Sequence, residues 1–186
     1  MDWWYIAAQI IGFGGAAGLI GAYQCRTAHG FFAVQMCGHL LYIVHFAMLG
    51  ALSGAVTLMI AAFRGVILFN ANKAWARHPA WLWLVIAMTI AACVATWKDI
   101  FSLLPCIGIC ITTVAIWSAN GKKIRISGLC VGSPSWLIYD IHVLSISGIL
   151  CELFTISSIL ISIMRYGMKA LDVDEAMSMK HMKQRR

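Results

Sequence analysis

Charge is the scarcest commodity in this chain. Lys, Arg, Asp and Glu together supply 11% of its 186 residues, less than half of the roughly 25% usual in a soluble domain. The stretches 80–97 and 100–120 carry none at all. Some 20 apolar residues suffice to cross about 30 Å of hydrocarbon, so an ordinary soluble fold is excluded as the first expectation. Short alternating segments, the mark of a closed β-barrel, are missing too. So is a basic n-region: MDWWYIAAQI has an acid at its second position, which argues against a cleaved signal peptide and for a first span that stays in the membrane. The seven cysteines form neither a CxxC pair nor a zinc-like spacing, and their expected role is that of small buried apolar side chains. Cys106 and Cys110 share a helix face but lack His or carboxylate neighbours. No nucleophile–base pair or phosphate-cradling loop is present, and the glycines of GFGGAAG lie within a span rather than in a strand-to-helix turn. The expectation is a protein that is not an enzyme and takes no cofactor or metal.

What the chain does have is apolar length. Hydrophobic residues make up 61% of it, and they divide into seven candidate helices at 3–23, 31–50, 52–70, 80–97, 101–119, 126–145 and 147–165. The expected fold class is therefore all-α integral membrane. Very short loops (GALSG, WKDIFS and SIS) make the helices they join antiparallel neighbours. Of the 14 Lys and Arg, 13 fall in or beside the first, third and fifth loops or after the last span, and Lys98 alone falls on the other side. That asymmetry predicts a cytoplasmic C-terminus and an external N-terminus. The formal charge of +7 then reflects topology and attraction to anionic lipid, without nucleic acid as a partner. The lipid bilayer is the first partner expected, and a homo-oligomer is left open.

Laid over itself at an offset of 94, the sequence aligns 10–69 with 104–163 without gaps. Gly14 falls on Gly108, Gly38 on Gly132, His45 on Tyr139, Tyr42 on Trp136, Ser53 on Ser147 and Gly54 on Gly148. Each copy holds three helices and two loops in the same order and begins outside. The predicted organisation is a 3+1+3 arrangement of two parallel three-helix bundles: 1–70 the first repeat, 71–98 a linker with the fourth transmembrane helix, 99–166 the second repeat and 167–186 a cytoplasmic tail. Transporters built this way place their site where the repeats meet. In the first span Gly14 and Gly18 stand in GxxxG spacing and Gly21 follows Ala17, which allows close helix approach, either for tight packing or as a sliding surface.

The motifs VHFAMLG (44–50), AAFRGVI (61–67), LLPCIGICITT (103–113) and WLIYDIHVLSISG followed by Glu152 resemble the YgjV-type bacterial inner-membrane family. That family is usually grouped with the MtN3/PQ-loop superfamily of sugar facilitators, the SWEET-like proteins. The resemblance runs to about Gly167. It implies parallel triple-helix bundles, a central solute path and a bacterial plasma-membrane location. The chain departs from the superfamily in three ways. It has no Pro-Gln dipeptide; Pro105 and Pro134 have no counterpart in the first copy; and Asp140 stands where Asn is more usual.

Two carboxylates, Asp140 and Glu152, fall inside the apolar stretch 135–154. Counted from the outer helix ends, both lie with His45 in one layer roughly 7–8 Å deep. Acids at such depth usually face the bundle interior, pair, or line a wet cavity; a buried packing or interfacial position is the alternative. Thr155, Ser158 and Ser162 follow Glu152 at helical spacing, though such hydroxyls often bond back to their own helix. His45 could pair with an acid, relay protons, or simply bond a carbonyl. Arg64 either snorkels to the cytoplasmic surface or turns inward toward an anionic group. Trp136 and Tyr139 share a side with Asp140, giving flat surface for a ring-bearing solute or an interfacial belt. The expected function is a small-solute transporter or facilitator with a polar or cationic solute, and the substrate or ion pathway is expected at Asp140, Glu152, His45, Trp136, Tyr139, Arg64 and Thr155. The rival is a non-transporting membrane receptor or assembly partner.

Overall fold

The computed structural model describes residues 3–22, 28–71, 73–118 and 120–170. The protein is all-helical. In chain order the elements are α1 (Trp3–Ala22), α2 (Ala28–Met48), α3 (Leu52–Phe69), α4 (Ala80–Ala95), α5 (Leu103–Trp117), α6 (Gly121–Ser127), α7 (Ser133–His142) and α8 (Ile146–Ala170). A five-residue π-turn, Gly128–Gly132, joins α6 to α7 without leaving helical dihedrals. Seven helical rods result among the described residues, and four of them are long and apolar enough to cross a bilayer. The predicted tail falls partly within α8, which runs on to Ala170; 171–186 lie outside the described residues.

Local chemistry sets the helix ends. The Asp99 carboxylate accepts from the N–H of Phe101 (2.9 Å) and Ser102 (3.2 Å), and Ser102 Oγ accepts back from the N–H of Asp99. That reciprocal cap starts the rod containing α5. Pro105 follows within the first turn, where a missing N–H costs nothing. Asn120 accepts from the N–H of Lys122 and Lys123 at 3.0 and 3.1 Å and starts α6 five residues ahead of the predicted 126. The basic residues Lys122, Lys123 and Arg125 are thus helical rather than in a loop. Pro134 cannot donate to the carbonyl four residues back, and the wide turn just before it absorbs the missing bond.

The helices close into a ring. α1 packs on α2 and α2 on α3; α5 packs on the 128–142 rod and α7 on α8. α1 meets α8, α3 meets α5, and α4 lies against α3 and α5. The α1–α2 contact is backbone-close, but not through the predicted Gly14. A Cβ at Gly18 would come within 2.9 Å of Gly38 Cα and one at Gly15 within 2.7 Å of the Tyr42 ring, whereas Gly14 meets only a Leu41 methyl at 3.4 Å and Gly21 meets nothing.

Two turns at one end of the ring have the same geometry. After α2, Leu49 N bonds His45 O at 3.0 Å and Ala51 N bonds Phe46 O at 2.8 Å; after α7, Val143 N bonds Tyr139 O at 3.0 Å and Ser145 N bonds Asp140 O at 2.8 Å. Each turn passes through a left-handed residue, Gly50 at φ 70° and Leu144 at φ 55°.

The distribution of polarity is that of a membrane protein. Trp83, Val94, Ile161 and Met164 lie on the outer surface at 63–85% exposure, while His45, Thr57, Thr89, Thr113, Asp140, Ser145 and Ser147 are at most 2% exposed. Water would drive the first group inward. Hydrocarbon does not, and it requires the second group to find partners inside.

Candidate functional site

A cavity of about 550 Å³ lies within the ring. Its wall includes Asp140 and Gly148 at one extreme and Gly121 and Ser162 at the other; from Gly148 to Ser162 along α8 is roughly 21 Å. The volume falls in the range of small-molecule sites.

Of the residues singled out from sequence, Asp140, Glu152, Trp136, Arg64 and Thr155 all line this cavity. Asp140 is 2% exposed, and its Oδ1 has no hydrogen-bond partner among the described residues. It is positioned by α7 against Gly148, where an added Cβ would collide with the carboxyl group. Glu152 stands one turn further along α8. Arg64 is turned inward rather than snorkelling: its Nη1 donates to Thr113 Oγ1 at 2.6 Å, and its Nε has no acceptor among the described residues. Thr113 in turn donates to Ile109 O at 2.6 Å. The hydroxyl stripe of α8 lines the cavity through Thr155, Ser158 and Ser162, although Thr155 also bonds back to Cys151 O at 2.9 Å.

His45 and Tyr139 do not face the cavity. His45 is fully buried, with Nδ1 at 2.7 Å from Ala8 O and Nε2 at 2.8 Å from Ser145 Oγ. A carbonyl only accepts, so Nδ1 carries the proton and Nε2 accepts from the Ser145 hydroxyl. Ser145 Oγ itself accepts from Gly148 N at 3.1 Å. With both nitrogens committed, His45 ties α1 and α2 to the α7–α8 turn. Tyr139 makes the matching connection: its hydroxyl lies 2.8 Å from Ser53 Oγ and accepts from Gly54 N at 3.0 Å, joining α7 to the start of α3.

Further bonds seal the same end. Tyr5 and Gln9 both donate to Leu144 O at 3.0 Å, and Tyr42 donates to Ser147 O at 3.1 Å. Beneath them the Phe46 ring stands 5.9 Å from the rings of Tyr42, Trp136 and Tyr139. Trp136 is therefore part of an aromatic floor between the cavity and the sealed end.

Gln35, His39 and Arg125 also line the cavity and were not singled out from sequence. Gln35, His39, Tyr42 and Phe46 recur at spacings of four, three and four, one face of a helix, and that periodicity was the signal available. Arg125, read as a loop charge, reaches the wall because α6 starts early; its Nε donates to Ser162 Oγ at 3.2 Å.

Long apolar helices, an apolar exterior and polar groups turned inward define an integral membrane protein of the helical class. A model of the family described as bacterial inner membrane protein, Imp-YgjV, matches residues 6–170. The chain belongs to that family. Comparison with curated proteins finds no match, and neither does comparison with solved structures.

Proposed function

We propose that the protein is a small-solute carrier of the bacterial inner membrane, made of two parallel three-helix repeats joined by α4 and holding its solute between them. The observation that carries this reading is the cavity itself, a hollow between the two triplets whose largely apolar wall includes Asp140, an acid with one oxygen that has no partner among the described residues.

The repeat reading rests on equivalences at the offset of 94. Gly50 and Leu144 share the left-handed turn position; His45 reaches the Ser145–Ser147 turn of the other half, and Tyr139 reaches Ser53 and Gly54 in return. The packing order agrees, since the contact of α1 with α8 has its counterpart in that of α5 with α3. The excess of basic residues in alternate loops and after the last span favours an external N-terminus and a cytoplasmic C-terminus. The sealed layer is then external, and the cavity's Gly121–Ser162 end faces the cytoplasm. Alternating access would require the bonds of His45, Tyr139, Tyr42 and Gln9 to part. Acids on the pathway favour cationic or polyhydroxylated solutes, or proton coupling.

Solute flux is the test. Liposomes containing the purified protein are expected to admit some member of a panel of labelled sugars, amino acids, amines and nucleosides faster than empty liposomes. Asp140→Asn combined with Glu152→Gln should remove that flux while the fold persists. Undiminished flux through the double variant contradicts the site, and binding without flux identifies a non-transporting receptor.

A further inference from the structure

Asp140 and Arg64, an acid and a base, line one cavity without meeting. Both side chains are at least nine-tenths buried, and each retains a polar atom with no partner among the described residues, Oδ1 on the acid and Nε on the base. Burying an ionic group without a countercharge or full hydrogen bonding is costly.

The helix geometry shows why they do not meet. Arg64 sits three turns down α3 from Leu52, and Glu152 under two turns down α8 from Ile146, with Asp140 nearer still to the sealed end. The offset between Arg64 and Glu152 is roughly 9 Å along the bundle. The cavity thus has one end with Asp140 and Glu152, beneath the aromatic floor, and another with Arg64, where His39 and Arg125 also line the wall. Thr113 holds one Nη of Arg64 and so orients the guanidinium fork, leaving donors for a planar anion.

We infer that the solute is a small zwitterion, its ammonium group received by Asp140 and Glu152 against Trp136 and its carboxylate or phosphate received by Arg64. Such a molecule brings a cation to the acids and an anion to Arg64 at once and itself carries no net charge into the membrane interior. A simple cation leaves Arg64 unmet, and a simple anion leaves the two acids unmet. The indole of Trp136 beside the acids suits an alkylated or primary ammonium group through its ring face. The inference deepens the carrier reading and rests on it for passage of the solute, though not for its binding.

The unfolding temperature of the purified full-length protein tests it. The probes are L-alanine, γ-aminobutyrate and glycine betaine, set against propylamine, choline, propionate and glucose at equal concentration. At least one zwitterion is expected to raise the midpoint by several degrees, well beyond any single-charge or neutral probe. Asp140→Asn and Arg64→Gln should each weaken that protection by at least about tenfold, the loss of one hydrogen bond to a charged group. If Arg64→Gln does not fold, Arg64→Lys, which keeps the charge but loses the fork, should weaken it likewise. Glucose or a single-charge probe protecting best, no zwitterion surpassing its single-charge counterparts, or variants that retain full protection would each overturn the inference. A zwitterion that protects but does not cross liposomes keeps the site and removes the carrier. A sugar that crosses while no zwitterion protects does the reverse.

Discussion

Individual side chains divide here between holding the fold and facing the hollow. His45 is fully saturated by Ala8 O and Ser145, and its replacement by Ala would strand two buried polar groups as well as leave a void. A loss of roughly 2–3 kcal/mol is expected, read as a lowered unfolding midpoint, with His45→Gln intermediate. Leu144 is a different case. It holds a left-handed conformation that costs a residue with a Cβ about 1–2 kcal/mol, and its side chain is mostly exposed. Leu144→Gly should therefore raise the midpoint slightly, the gain being trimmed by the greater freedom of glycine when unfolded; a fall would show that the leucine side chain itself is needed. At the opposite face of that turn, Asp99 pairs with His142 at 2.9 Å. Desolvation raises the pKa of this carboxyl, but the His142 hydrogen bond and charge and the N–H groups of Phe101 and Ser102 outweigh it and hold the group below its ordinary 3.8. A depressed folded-state value contributes stability that is fully present above the ordinary 3.8 and is lost as the pH falls from there through the lower folded-state value. Asp99→Asn, which keeps the cap but not the charge, should flatten the acid side of the stability profile below about pH 4. An unchanged acid limb would show that the pair contributes nothing there. The carboxylates were legible in the sequence because charge at membrane depth is costly. The saturation of His45 was not, since its partners come from α1 and from the α7–α8 turn, far away in the chain.

Helices were the most legible level. Uninterrupted apolar stretches predict rods close to those observed, because hydrocarbon leaves the backbone no alternative to internal hydrogen bonding. The errors fall where a polar side chain overrides hydropathy: Asn120 caps a basic turn into helix, and the π-turn before Pro134 leaves no trace in composition. Of the predicted pair, Gly18 does lie at the crossing with Gly38, whereas Gly14 stands one position from Gly15, which packs on Tyr42. GxxxG spacing gives a face, and only the partner helix, through Gly38 and Tyr42, decides which neighbouring glycine is at the crossing. Substitution separates glycines in contact from bystanders. At Gly12 a Cβ would fall within 2.7 Å of His45 Nδ1, and at Gly54 within 2.7 Å of the Tyr139 ring, while at Gly65 it meets nothing. Gly12→Ala and Gly54→Ala are expected to cost about 1–3 kcal/mol through overpacking. Gly65→Ala should be neutral or raise stability by up to about 1 kcal/mol. Equal effects at the three positions would mean that the contacts at the sealed end are looser than these distances.

At the scale of the molecule, an apolar skin encloses buried polar side chains and a hollow, closed at one end by bonds that tie α1, α2 and α3 to α7 and the α7–α8 turn. Neither the ring nor the hollow could be read from the sequence alone, because both arise from contacts between helices that are distant in the chain. The two turns that share their bonding, after α2 and after α7, lie 94 residues apart, the same offset as the weak identity in the sequence. The account's central claim is that this hollow opens to each side of the membrane in turn. Labelling tests it without knowledge of the solute: in a cysteine-free background, Thr155→Cys is exposed to a membrane-impermeant maleimide from the cytoplasmic side or from the outside. The account predicts rapid reaction from the cytoplasmic side and slower, measurable reaction from the outside, which should quicken when Tyr42→Phe and Gln9→Leu weaken the sealed layer. Reaction confined to one side, unaltered by those substitutions, would contradict it.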